Sequence, residues 1–236
     1  FMTVILALDT STPACSVALN IDGVVLEDFR IAPRLHNDLI LPMVDQILSQ
    51  AGLTLSNLDA IAFGRGPGSF TGLRISAGVV QGLAYGADLP VIPVSTLAAL
   101  SLEGFQKTGK NDWLAALDAR MGEIYLGGYH VNKVNGLYEI ASLLDERVIK
   151  PSVLVPFTHC FEGVGSGWCY EEELTSFLPK PPEYVLTGLA PRAACVAELA
   201  LLHFIKGETV ASYEAMPTYL RDEITWEKQA PRIGKR

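Results

Sequence analysis

The residues whose types and spacing could do chemistry gather in FGRGPGSFTGLRIS, from Phe63 to Ser76. Glycine-rich turns that open helices present backbone N–H groups to anions, so a phosphate is the first ligand to consider. The specific phosphate patterns fail. A P-loop ends in Gly-Lys-Ser/Thr, whereas Gly72 is followed by Leu73 and Arg74. A dinucleotide fingerprint counted from Gly66 needs glycine at Thr71, and a nucleophile elbow around Ser69 needs glycine at both Pro67 and Thr71. Residue chemistry alone favours a tight structural turn built from Gly66, Gly68, Ser69, Thr71 and Gly72, with Ser69 and Thr71 as N-cap types for the helix that follows. Two carboxylates stand apart from this loop: Asp9 and Asp118 each end an apolar strand in Leu-Asp. His36, His130, His159 and His203 are scattered without ligand spacing and read as ordinary surface or core histidines. Cys15, Cys160, Cys169 and Cys195 show no close metal-ligand spacing.

These groups need elements to position them. Residues 3–8, 15–21 and 24–31 read as strands, with a hairpin signal at Asp22-Gly23. In RLHNDLILPMVDQILSQAG, Asp38 can cap a helix and Pro42 suits its first turn. The apolar positions Leu39, Ile40, Met43, Val44, Ile47 and Leu48 cover more than one stripe, which leaves part of the face for a partner. The strand LDAIAFG runs into the glycine loop, and from Leu73 the pattern is helical. That helix carries Gly78, Gly82 and Gly86 on one face, each costing about 1 kcal/mol relative to alanine. Such a stripe suits a groove where another backbone approaches closely, either a helix of another subunit or this fold's own interior.

After VIPVS and a short helix TLAALSLEGF, residues 106–112 are the most linker-like stretch. Beyond it WLAALDARMGEIYLGGYHVNKVNGLYEIASLL repeats the opening theme of strand, aspartate-ended turn, strand, turn and strand. CFEGVGSG adds a strand and a glycine turn, and Pro191 opens a helix that Gly207 ends. The expected fold is α/β, with two related domains facing each other across a cleft. One spans 1–105 and a smaller one spans 112–236, with the last helix free to pack back on the first.

At 236 residues and 49% hydrophobic, the chain can bury real cores. A net charge of −8 makes the surface as a whole unattractive to nucleic acid, so any nucleic-acid role needs phosphate contacts from elsewhere. No signal peptide or membrane-length apolar run is seen, and a reduced, cytoplasmic protein is expected. Phe1 ahead of Met2 reads as an extraneous residue. The stretch from Lys228 to Arg236 carries four basic residues and no acid, which reads as a solvated tail, with RNA contact as the alternative.

Duplicated meanders with an aspartate ending the first strand of each half resemble the actin-like ATPase and sugar-kinase fold. Within it, GRGPGSFTGLRIS, LALDTSTPACSVAL and DARMGEIY resemble the bacterial TsaB (YeaZ) family, the short non-catalytic relatives of the TsaD/Kae1/Gcp family. The resemblance covers residues 1–130 and extends to YLRDE near the end. It implies a subunit of the machinery that attaches threonylcarbamoyl to N6 of the adenosine 3′ of the anticodon. The implied partners are a TsaD-type catalytic subunit, a TsaE-type ATPase in the same complex and a second copy of the chain, with tRNA reached only through the complex and no membrane involved. Expected interface residues are Met43, Ile47, Arg74, Gly78, Gly82 and Gly86.

Catalytic relatives hold a metal with a histidine pair four residues apart; here that stretch reads PVSTLAALS, with Ser95 and Ala99 at the ligand positions, so neither metal nor catalysis is expected. Asp9, Ser11, Asp118 and Arg120 would be vestigial phosphate positions, because Asp9 is followed by Thr-Ser-Thr where kinases place glycine. No cofactor of its own is expected, although the resemblance allows ATP or ADP to be shared at the boundary with the catalytic partner. The alternative is an independent phosphotransferase of the sugar or acetate kinase type. A peptidase would need a metal pair or a nucleophile with its base, and the sequence offers neither.

Overall fold

The structure, a computed structural model, describes residues 2–221; the basic stretch from Lys228 lies outside the described residues. Aliphatic and β-branched runs form β1 (Val4–Asp9), β2 (Ala14–Ile21) and β3 (Val24–Ile31), an antiparallel meander. Asp22 and Gly23, at φ 55° and 91°, make the tight turn between β2 and β3. Helix α1 (His36–Ala51) leads to β4 (Ala60–Gly66), parallel to β1, and α2 (Phe70–Ala87) crosses to β5 (Val91–Ser95), parallel to β4. The sheet order is β3-β2-β1-β4-β5.

Helix α3 (Thr96–Thr108) carries the chain into a second sheet of β6 (Asp112–Arg120), β7 (Glu123–Val134), β8 (Leu137–Ile149), β9 (Glu162–Val164) and, after α4 (Glu171–Ser176), β10 (Val185–Leu186). Its order, β8-β7-β6-β9-β10, and its strand directions repeat those of the first sheet. The duplication signalled by the two Leu-Asp strand ends is therefore a duplication of topology. The second half is reduced: a single 3₁₀ turn, Pro151–Val153, lies between β8 and β9, and only a 3₁₀ turn and the short α4 lie between β9 and β10.

Strand alternation sorts the side chains into layers. Leu6, Leu8, Val17 and Phe63 pack under α1 and α2 on the outer face of the first sheet. Ile5, Ala7 and Ala62 share a second core with Leu97 and Leu100 of α3, Val196 and Leu199 of α5 (Ala193–Ile205), and Trp113, Ala115 and Val131 of the second sheet. Residues 106–108 complete α3 and residue 112 starts β6, so the linker-like stretch shortens to 109–111. One interior runs across that boundary, because α3 and α5 lie between the two sheets and serve both.

Three expectations about α1 and α2 need correction. α1 begins at His36, ahead of Asp38, so Pro42 stands inside the helix rather than in its first turn. It faces solvent, where water can take the carbonyl that loses its amide partner. Met43 and Ile47, expected at a partner interface, are buried against the first sheet and present no side chain outward. The outer face of α1 carries Leu41 instead, 47% exposed. α2 starts at Phe70, and Ser69 alone caps it by accepting from Gly72 N at 3.4 Å, while Thr71 is an exposed first-turn residue. Among the described residues, no helix is long and apolar enough to cross a membrane.

Candidate functional site

The ends of β1 and β6, the glycine loop and Ser166 enclose a cleft of about 570 Å³ between the two halves. Ser11, Gly68 and Ser69 line it from one side, Asp118 and Arg120 from the other, with Arg221 between them. Asp118 is exposed, and its Oδ1 accepts from Arg120 N at 2.9 Å while its own N–H donates to Ser166 Oγ at 3.2 Å. Arg120 stands at φ 65°, at the start of the turn that ends β6.

Asp9 occupies the equivalent place in the first half but lies beneath the cleft wall, fully buried. Ser11 N and Ser11 Oγ donate to its Oδ1 at 2.9 and 2.7 Å. Oδ2 has no hydrogen-bond partner and rests against Gly64, where any Cβ would collide with it. Burial pushes the Asp9 carboxyl up to about 6, against the opposing pull of the two Ser11 hydrogen bonds.

The glycine loop is filled by the chain itself. Ser69 N donates to Ser11 O at 2.7 Å and Thr10 Oγ1 donates to Gly72 O at 2.7 Å. A Cβ at Gly68 would lie 2.5 Å from Ser11 O, and one at Gly72 would collide with Thr10 O. These glycines let the β1–β2 turn press its backbone at Thr10 and Ser11 onto the start of α2. Gly66, at φ 107°, turns the chain into this arrangement. A metal–nucleotide bound as in the actin-like fold does not fit this half, because Asp9 cannot reach the cleft and the loop is occupied.

Ser95 and Ala99 have other employment. Ala99 is in the shared core. Ser95 Oγ caps α3 by accepting from Ala98 N at 3.1 Å and donates to Glu146 Oε1. Tyr129 OH donates to the same oxygen at 2.6 Å, and Arg65 Nη2 lies 3.4 Å from Glu146 Oε2. Burial, and then the Glu146 charge, push the Tyr129 phenol far above its ordinary range. Sequence reading missed Arg65, Tyr129 and Glu146 because only sheet register brings them together; the visible signal was a lone arginine in an otherwise apolar strand end.

The histidines bind locally. His36 Nε2 lies 2.8 and 3.1 Å from the carbonyls of Thr12 and Ala14, fastening α1 to the β1–β2 turn. Asp112 meets both His130 and His159, at 2.6 and 3.0 Å, and His203 meets Glu208 at 2.6 Å. Among the described residues, no group of three or more His, Cys, Asp or Glu is arranged to hold a metal ion.

On the opposite side of the first sheet, Gly78, Gly82 and Gly86 face outward from α2, and a Cβ built on any of them meets nothing within 4 Å among the described residues. Packing against the chain's own sheet is therefore not their purpose. Beside Gly78 a groove of about 460 Å³ is lined by Asn37, Phe70, Arg74, Ile75 and Val79. Arg74 lies over the Phe70 ring with Cζ 3.7 Å from its centroid and donates to Tyr219 OH at 3.1 Å.

The family described as TsaD, tRNA N6-adenosine threonylcarbamoyltransferase, matches residues 21–200. The chain is 42% identical over 234 residues to the tRNA threonylcarbamoyladenosine biosynthesis protein TsaB of Haemophilus influenzae, covering 95% of this chain and 96% of that protein. To the protein of the same name from Escherichia coli K12 it is 43% identical over 231 residues, covering 95% and 97%. The solved structure of YeaZ from Pseudomonas aeruginosa superposes with a TM-score of 0.84 at 44% identity, covering 93% of this chain and all of that one. With its duplicated sheets and shared interior, the chain belongs to the TsaB (YeaZ) family of tRNA threonylcarbamoyladenosine biosynthesis proteins, built on the two-domain actin-like ATPase-type fold.

Proposed function

We propose that this chain is a non-catalytic subunit of the machinery that forms threonylcarbamoyladenosine in tRNA, and that it acts by docking a TsaD-type catalytic subunit on the outer face of α2. The outward glycines carry this reading. Each costs about 1 kcal/mol in a helix interior, and nothing among the described residues approaches them. A facing helix explains them, because the absence of side chains lets two backbones come close. Arg74 and Phe70 flank the stripe as polar and aromatic contacts, and Leu41 on α1 extends the surface. The family model that matches this chain is TsaD-type, so partner and chain share a fold, and two copies can pair through the same face when the catalytic subunit is absent.

The rest of the complex is proposed from the family resemblance, and the net charge supports its tRNA part. At a net charge of −8 the chain reaches tRNA through the catalytic subunit, in the cytoplasm, alongside a TsaE-type ATPase. The burial of Asp9 beneath the cleft wall supports a chain with no nucleotide of its own, sharing ATP or ADP at the boundary with the partner and turning over neither nucleotide nor peptide when isolated. Reconstitution with the TsaD-type subunit tests this reading. Gly82→Leu should melt at or above the wild-type temperature and lose at least about tenfold in affinity for that subunit. Normal folding with wild-type affinity would overturn the docking face, and ATP binding by the isolated chain that Asp9→Ala abolishes would favour the phosphotransferase instead.

A further inference from the structure

Residues 215–221 run along the first half and reach the second. Ala215 is fully buried under α2, where its carbonyl accepts from Gln81 Nε2 at 3.1 Å. Further along, the Tyr219 ring lies 5.2 Å from Phe70, and its hydroxyl accepts from Arg74 Nε. Between these points Thr218 N donates to Arg65 O at 2.7 Å, and Arg65 Nη1 returns a bond to Thr218 Oγ1 at 2.7 Å. The same guanidinium reaches Glu146 on β8, in the other half. Arg221 then lands on the second sheet directly: its Nη2 donates to Ala119 O at 3.1 Å and pairs with Glu123. Thr218 and Arg221 are three residues apart, a reach of at most about 10 Å, and their anchors lie on the two different halves.

We propose that residues 215–221 are a clasp that covers the cleft mouth between the two halves, with Arg221 as its latch on the β6–β7 turn. Two observations support a clasp over a passive terminus. Its contacts to the second half are charged and side-chain-borne, so they can release without exposing apolar core. Arg221 also stands in the wall of the cleft itself, beside Asp118 and Arg120, so its release removes part of that wall.

Hydrogen–deuterium exchange on the full chain tests this without any partner or ligand. The reporters are the amides of Ser69, Asp118 and Arg120, whose hydrogen bonds lie along the cleft. In Arg221→Ala they should exchange at least about tenfold faster than in wild type, while β2 and β7 keep their protection. Thr218→Val, which removes one bond of the middle anchor, should give a smaller rise at the same amides and serves if the first variant fails to fold. Unchanged exchange at the cleft overturns the clasp. A rise spread equally through β2 and β7 also overturns it, because the segment is then only part of the common core.

Discussion

Asp9 holds its carboxylate where no solvent reaches, one oxygen bonded to Ser11 and the other bonded to nothing. Its carboxyl rises from 3.8 to about 6 on burial, so the folded chain keeps a proton that the unfolded chain has released. Stability therefore falls as pH rises through that window and stays lower above it. Asp9→Asn removes the charge to be buried. It should gain about 1–3 kcal/mol at pH 7.5 and flatten the decline between pH 4 and 6. Urea unfolding across that range checks this, and a variant less stable than wild type at pH 7.5 would contradict it. A residual slope should remain, because burial also pushes Glu103 up to about 6.

The helix α2 carries glycines of two kinds, and one substitution separates them. At Gly72 an added Cβ meets the Thr10 carbonyl, and Gly72→Ala should cost about 2–4 kcal/mol because backbone must move. At Gly82 the same methyl meets open space, and Gly82→Ala should gain about 1 kcal/mol in the isolated chain. Thermal melts of the two variants should move in opposite directions. The strand runs, the Ser69 cap and the glycine spacing were legible in the sequence because each rests on local chemistry. The inward side of α1 was not: six apolar positions cover too wide an arc to show which side meets the sheet, and Met43 and Ile47 went inward. The network of Arg65, Ser95, Tyr129 and Glu146 was illegible for another reason, since its members meet only through the register of two sheets. The clasp was hidden likewise, because a short segment with no periodicity makes contacts more than a hundred residues away, as Thr218 and Tyr219 do with Arg65 and Arg74.

As a whole, the molecule keeps the duplicated architecture of the actin-like ATPase-type fold, and in its first half the β1–β2 turn packs its backbone against the glycine loop. Two sheets share α3 and α5, Arg221 reaches the second sheet at the cleft between them, and the outward glycines of α2, free of neighbours among the described residues, lie on the far side of the first sheet. That division suits a subunit which lends a surface to another protein's chemistry. The most direct test is mass spectrometry of tRNA nucleosides from cells depleted of this chain, complemented with wild type or with Gly82→Leu. Threonylcarbamoyladenosine should fall on depletion, return with wild type and stay low with the leucine variant. A level unchanged by depletion would contradict the account, and ATP-dependent turnover by the isolated protein would then become the activity to pursue.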